Sequence, residues 1–389
     1  MRTILVVNNL YALWLWRRPL IQALQRSGAD LMAVGPPGPY VQRLRELGCQ
    51  VECWPLDRRS LNPVTELRSL WYLYQIYLQR RPTVAHHFTI KPNLYGAIAA
   101  RLARVPAIIA TVTGLGYFWT ESDGKTRRLR LMLTYLYKAA LRQTDAVVFL
   151  NDDDRRLLGN GCFAEIIPGE GVNTSLFHPE AISQEQRAEL RIRLGIEVTA
   201  PVALMISRML WHKGVGEFVA AARLVRRKMP EAVFLLVGPP DEGNPASISS
   251  HRLQAWAEEG VIRYLGFRQD IPQLLALADV AVLPSYREGI PQVLVEAAAM
   301  GKPLVATDVP GCGEVVLDGV NGLRVPPRDP EALAEAIIAL LADPVLRESL
   351  GKASRTLAEE RFATEKIVQR WLFIYKRVLE AKGYPFSCI

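Results

Sequence analysis

The sequence predicts an α/β protein of two doubly wound domains in tandem, on three observations. Short, apolar, β-branched runs alternate with longer amphipathic stretches in both halves, as in parallel sheets covered by helices on both faces. A cluster of glycine, proline and polar residues, PGEGVNTSLFHPEAISQEQ (168–186), separates the last apolar run of the first half from the first of the second. The 389 residues are 50% hydrophobic and 22% charged, enough for two domains with separate cores and unlike a disordered chain. The expected domains are 1–180 and 181–365.

In the first half, TILVVNN, ADLMAVG, PTVAHHF, AIIATVT and DAVVFLN read as buried strands, brief and bounded by turn residues. Between them, RRPLIQALQRSG, YVQRLRELG and NLYGAIAARLARV space apolar residues at three and four, as helices do. In the second half the strands are VALMISR, AVFLLVG, IRYLGF, VAVLPS and PLVATD. The helices there are GEFVAAARLVRRKMP, LVEAAAMG and PEALAEAIIALLADP. The C-terminal ATEKIVQRWLFIYKRVLEAKG reads as one long helix.

Several function classes drop out. The longest stretch without a charge, Val105 to Thr120, is 16 residues and is broken by Pro106, Gly114 and Gly116, so no spanning helix is expected. MRTILVVNNL reads as a first strand rather than a secretory leader. Five cysteines without a CxxC fit reduced thiols in a cytosolic protein. Gly124-Lys125-Thr126 lacks the earlier P-loop glycine, the position being Trp119, and no GxGxxG follows the first strand. His86 and His87 are adjacent and point to opposite faces of a strand, so they cannot share a metal, and no metal is expected.

The net charge of +8 is uneven: residues 1–178 hold 22 basic and 13 acidic side chains, residues 179–389 hold 25 and 26. An anionic partner follows, whether membrane surface, phosphorylated ligand or nucleic acid. Without an RNA-binding motif or helix-turn-helix signature, nucleic acid is not expected. Aromatic and basic residues intermix in the basic half: Trp14, Trp16, Arg17 and Arg18; Trp71, Tyr72, Tyr74 and Tyr77 before Arg80 and Arg81; Arg127, Arg128 and Arg130 before Tyr135, Tyr137 and Lys138. That mixture suits peripheral binding to an anionic membrane.

The chemistry concentrates in two segments. In LPSYREGIPQVLVEAAAMGKPLVATDVPGCGEVV (283–316), a strand runs into a loop with Glu288 and Gly289, and a helix is expected to start at about Pro291. Glu296 follows Glu288 by eight, in the helix's second turn. The helix N-terminus favours an anion, and two carboxylates can accept from adjacent sugar hydroxyls. In the second segment, VALMISR ends in Arg208, with Lys213 and Gly214 following. This puts two cations at a strand's carboxyl end, where open α/β sheets bind ligands. Either segment alone also reads as solvated loop and helix charges; the pairing favours a phosphorylated sugar ligand.

Together the segments resemble the retaining glycosyltransferases of family 4, which have the GT-B fold of two Rossmann-like domains facing a central cleft. Glu288 and Glu296 match the family's E-x7-E motif; Arg208, Lys213 and Gly214 match R-x-x-x-x-K-G. Gly171-Val172-Asn173 through Phe177 and Pro179 match the interdomain motif. HHFTIKPNLYG (86–96), TGLGYFW (113–119) and GNPASIS (243–249) are similar to the subgroup that builds polyprenyl-diphosphate-linked saccharides, including N-acetylhexosaminyltransferases.

The resemblance implies an acceptor domain at 1–180, a nucleotide-sugar donor domain at 181–365, and a C-terminal helix, 366–389, crossing back to the first. It implies that Arg208 and Lys213 hold the diphosphate of a UDP-sugar, with Gly289 and Ile290 beside the phosphates. Glu296 would hold the ribose and Glu288 the transferred sugar, while Gly266, Phe267 and Arg268 lie near the base. Glu288, Arg208 and Lys213 would carry catalysis. Arg17, His86, Lys91, Thr113 and Gly114 would face the acceptor, a polyprenyl-diphosphate-linked saccharide at the cytoplasmic face of the membrane. No cofactor and no metal are implied. The chain departs from the pattern at Thr113, where many members carry histidine, and at Gln292 and Gly313, where the subgroup often carries arginine. A non-hydrolysing nucleotide-sugar epimerase and a non-catalytic nucleotide-sugar binding protein are the alternatives.

Overall fold

The computed structural model describes residues 1–57, 60, 62–115, 119, 124–159 and 163–386. It divides into one unit of Met1–Glu170 with Glu365–Ile389, and a second of Gly171–Thr364.

The first unit holds a seven-stranded parallel sheet: β1 (Arg2–Val6), β2 (Asp30–Gly35), β3 (Gln50–Cys53), β4 (Val84–Phe88), β5 (Ala107–Val112), β6 (Ala146–Phe149) and β7 (Ala164–Ile166), in the order β3-β2-β1-β4-β5-β6-β7. Side chains alternate between the sheet's faces. On β1, Leu5 joins one core, with Leu20 and Phe88, while Ile4 and Val6 join another, with Leu73 and Ile76. The helix Thr364–Glu380 buries Ile367, Trp371, Ile374, Tyr375 and Val378 in the first of these cores, which is what returns the C-terminal segment to this unit.

The second unit has six parallel strands: β8 (Val202–Ile206), β9 (Val233–Val237), β10 (Arg263–Tyr264), β11 (Val280–Leu283), β12 (Leu304–Thr307) and β13 (Gly322–Val325), in the order β10-β9-β8-β11-β12-β13. This unit begins ahead of the expected 180/181 boundary because the segment after Gly171 packs on its own helices. Val172 N–H donates to Phe362 O at 2.8 Å, and the Arg355 guanidinium donates to the carbonyls of Thr174 and Phe177. In both sheets the strand order reverses beside the first strand of the unit, between β1 and β4 and between β8 and β11; such switch points hold ligands at the strands' carboxyl ends.

Three strands escape the sequence reading: β3, β7 and β13. All lie at sheet edges and are only three or four residues long. A half-solvated edge strand has no continuous apolar run to betray it.

His86 and His87 do face opposite ways. His86 Nδ1 lies 2.7 Å from Tyr375 Oη and Nε2 lies 2.7 Å from Thr111 Oγ1, whereas His87 Nε2 lies 2.8 Å from Tyr77 Oη. Burial pushes His87 down to about 3; burial, then the Arg17 charge, holds His86 well below 6.5. A histidine kept neutral in the fold contributes stability above its ordinary value and loses it as pH falls below that value. By pH 5 His87 alone should cost about 2 kcal/mol. Denaturant melts of wild type and His87→Gln at pH 7 and pH 5 measure this share; an identical pH difference in the two would exclude it.

Candidate active site

The best-formed site lies in the second unit, at its switch point. After β8 the chain passes through Arg208 into a single 3₁₀ turn, Trp211–Lys213. Gly214 closes this turn with φ 76°, and a Cβ there would stand 2.0 Å from Pro284 O. Only glycine lets the turn lie this close to the end of β11. Tyr286 N–H donates to His212 O at 2.9 Å and ties the two motif segments together. The result is direct contact between their charges: Lys213 Nζ donates to Glu288 Oε1 and Oε2 at 2.6 and 2.8 Å, with the two side chains 17% and 10% exposed. The loop is backed by Gly311, at φ 83°, where a Cβ would stand 2.5 Å from Gly289 O; Glu288 N–H donates to Pro310 O at 3.1 Å.

The helix after the loop runs Gln292–Ala299, so Pro291 is its N-cap rather than its first residue, and its N-terminus has no side-chain cap. Glu296 stands in the second turn, half-buried, where burial pushes its carboxyl up to about 7. Burial, then the Lys213 and Arg208 charges, pushes His212 down to about 4. Arg208 is more open, 54% exposed, and its Nη1 donates to Asp241 Oδ2 at 2.8 Å. Gly266 O accepts from Gly238 N–H at 2.8 Å, Phe267 is exposed, and Arg268 pairs with Asp270 through Nε and Oδ1 at 2.8 Å. Gly289 and Ile290 are half-buried beside Glu288.

At two of the three departures, those in this unit, Gln292 Nε2 donates to Gly171 O at 2.9 Å, and the Arg324 guanidinium stands 3.0 Å from where a Cβ on Gly313 would be. Asp241 and Gly311 were missed. Asp241 meets Arg208 across 33 residues, and nothing in the local spacing signals that pairing.

In the first unit, His86 and Lys91 are engaged by other groups of the same unit. His86 is 0% exposed with both ring nitrogens engaged. Lys91, in the first turn of helix Ile90–Leu102, donates through Nζ to Asp57 O, Ser60 O and Glu66 Oε1 at 2.7–2.8 Å and so ties that helix to the segment leading into helix Pro63–Arg80. Arg17 follows β1 but is buried, with Cζ 4.6 Å above the Phe88 ring and 5.1 Å above Trp371, and Nη2 2.5 Å from Glu170 Oε1. Burial pushes Glu170 up to about 6. Thr113 and Gly114 follow β5, half-buried, with Gly114 at φ 106°. The TGLGYFW stretch lies outside the described residues at 116–118. Among the described residues, no three His, Cys, Asp or Glu side chains converge as metal ligands.

Comparison with known proteins gives the family and the fold. Residues 3–151 match the family model "Glycosyl transferase 4-like", and residues 200–343 match "Glycosyl transferases group 1". The chain is 34% identical over 369 residues, 94% of it and 96% of the relative, to the N,N'-diacetylbacillosaminyl-diphospho-undecaprenol alpha-1,3-N-acetylgalactosaminyltransferase of Campylobacter jejuni. It is 26% identical over 295 residues, 74% of each chain, to the UDP-Gal:alpha-D-GlcNAc-diphosphoundecaprenol alpha-1,3-galactosyltransferase of Escherichia coli. Among solved structures, Anabaena HepE in complex with UDP matches with a TM-score of 0.79 at 22% identity, covering 97% of this chain and 100% of that one. The sucrose-phosphate synthase of Thermosynechococcus elongatus matches with a TM-score of 0.80 at 22% identity, over 98% and 100%. These likenesses place the fold as GT-B, and with 34% identity along nearly its whole length the chain belongs to the group 1, 4-like glycosyltransferases.

Proposed function

We propose that this glycosyltransferase moves an N-acetylhexosamine from a UDP-sugar to a polyprenyl-diphosphate-linked saccharide, with retention and without a divalent metal. The observation that carries the reading is Lys213 Nζ resting on both Glu288 oxygens at the carboxyl ends of β8 and β11, just before an uncapped helix N-terminus. Breaking the sugar–diphosphate bond leaves an electron pair on the departing diphosphate. Lys213, Arg208 and the helix dipole are preorganised to receive that charge. Glu288 would turn to the sugar hydroxyls once the diphosphate takes its lysine, and Glu296 would accept from the ribose. The acceptor hydroxyl would attack on the face the diphosphate leaves, through an oxocarbenium-like transition state, its oxygen bonding to the anomeric carbon as its proton passes to the departing diphosphate oxygen. The names of the Campylobacter and E. coli relatives support a lipid-linked acceptor.

The test is nucleotide release from UDP-, GDP- and ADP-sugars, with and without a polyprenyl-diphosphate saccharide, followed by NMR of the product anomer. Release that needs both a UDP-sugar and the acceptor supports the reading. Sugar isomerisation without acceptor would identify an epimerase, and binding without turnover a non-catalytic binder.

The two glutamates should separate in calorimetry. Glu296→Ala is expected to weaken UDP binding, since ribose contacts exist with or without the sugar. Glu288→Ala should keep UDP affinity, its lysine being released to the diphosphate, and lose transfer. Loss of UDP affinity in Glu288→Ala would erase this division.

The acceptor's lipid places the first unit on an anionic membrane in this reading, at the cytoplasmic face. Helices Pro63–Arg80 and Gly124–Leu141 both pack on helix Ile90–Leu102. They leave Val64, Leu67 and Trp71 (59% exposed) in one stripe, and Leu131 and Tyr135 (69% exposed) in another. Arg127 and Arg128 are exposed beside the second stripe, whereas Arg130 donates to Trp119 O at 3.0 Å. Tyr77 and Tyr137 are core residues and take no part. No helix among the described residues is long and apolar enough to cross a membrane. Each exposed arginine should add about 1 kcal/mol to binding at low salt. Co-sedimentation with anionic vesicles should therefore fall in Arg127/Arg128→Ser and in Trp71/Tyr135→Ser. Equal binding to neutral vesicles, or none to anionic ones, would remove the membrane from the reading.

A further inference from the structure

We propose that Asp241 is a positioning residue for the transfer reaction, acting through Arg208; this rests on the reading of Arg208 as a diphosphate ligand. An arginine that is 54% exposed at the end of a strand would sample many rotamers in water. Here its Nη1 is held 2.8 Å from Asp241 Oδ2.

The carboxylate is itself fixed. Asn244 Nδ2 donates to Asp241 Oδ2 at 3.0 Å, Asp241 N–H donates to Ser247 Oγ at 3.0 Å, and Asn244 Oδ1 accepts from Ala246 N–H at 3.0 Å. The loop carrying Asp241 is stitched to the segment carrying Arg208: Met209 N–H donates to Pro239 O at 3.0 Å, Ile248 N–H to Met209 O at 2.8 Å, and Trp211 N–H to Ala246 O at 3.0 Å. Strand end and loop therefore move as one piece. A guanidinium is a planar fork of five donors, so one edge can stay on Asp241 while the other meets phosphate oxygens. Asp241 need not touch the donor to do this.

The experiment is a double-mutant cycle in the full chain with a UDP-sugar and a polyprenyl-diphosphate acceptor, with thermal melts as a check on folding. Asp241→Ala should lower kcat about ten- to a hundredfold with a smaller change in donor KM, the usual scale for a misplaced group. It should have no further effect in an Arg208→Ala background. Asp241→Asn, which can keep the loop's hydrogen bonds while losing the charge, should fall between wild type and Asp241→Ala. Additive losses in the cycle, or wild-type kcat in Asp241→Ala and Asp241→Asn, would overturn the positioning role while leaving the diphosphate assignment intact. A silent Arg208→Ala would remove the assignment and, with it, this inference.

Discussion

Lys213→Ala is expected to cut turnover at saturating donor by about 10²–10³, the range for losing one preorganised donor to a developing anion. Arg208→Ala should cost less, about tenfold to a hundredfold, because its guanidinium is 54% exposed while Lys213 is 17% exposed, and water screens the more open charge. Removing Lys213 has a second consequence. Glu288, only 10% exposed, loses the cation on which both its oxygens rest, so the fold should also lose stability. The double variant Lys213→Ala/Glu288→Ala separates the two effects: stability should recover in thermal melts, while turnover stays as low as in the single variants. Near-normal turnover for Lys213→Ala would show that the diphosphate is held elsewhere.

Gly214→Ala should damage both fold and activity. Its φ of 76° puts a side chain in the left-handed region, and the new Cβ would overlap Pro284 O, a backbone atom that cannot rotate away. Stability should fall by about 2–4 kcal/mol from the combined strain and overlap. The folded fraction should still turn over at least about tenfold more slowly, since Lys213 is the preceding residue and moves with the turn. Gly260→Ala is the control, with φ 70° and no atom within 4 Å of its Cβ; it should cost about 1 kcal/mol and leave activity alone. Gly311→Ala should behave like Gly214→Ala, because its Cβ would meet Gly289 O from the other side of the loop. Equal stability losses in Gly214→Ala and Gly260→Ala would mean that the turn relaxes without cost and that its close approach to β11 is unimportant.

The central strands and the two charged motif segments are legible in residue order because their signals are local. Buried parallel strands such as AIIATV and VALMI are continuous apolar runs, and R-x-x-x-x-K-G and E-x7-E are short spacings on one strand end or one loop and helix. The alternation of such runs is enough to name the fold class, and the charge count is enough to show a basic first half. The edge strands β3, β7 and β13 were not legible, since a strand half in water needs no apolar run.

Which partners each charged or polar group has depends on packing. His86 shares one ring nitrogen with Tyr375, 289 positions away. Lys91 meets the carbonyls of Asp57 and Ser60 and the Glu66 carboxylate, 25 to 34 positions back along the chain. Arg17 is buried against Phe88 and Trp371, on segments far apart in the chain. Conversely, Lys213 and Glu288 meet across 75 residues because β8 and β11 are neighbours in the sheet, and Arg208 gains Asp241 through the loop after β9. Residue type and spacing determine which groups can do the chemistry. Burial and pairing depend on segments brought together from far along the chain, so only the folded arrangement decides which of those groups are left to do it.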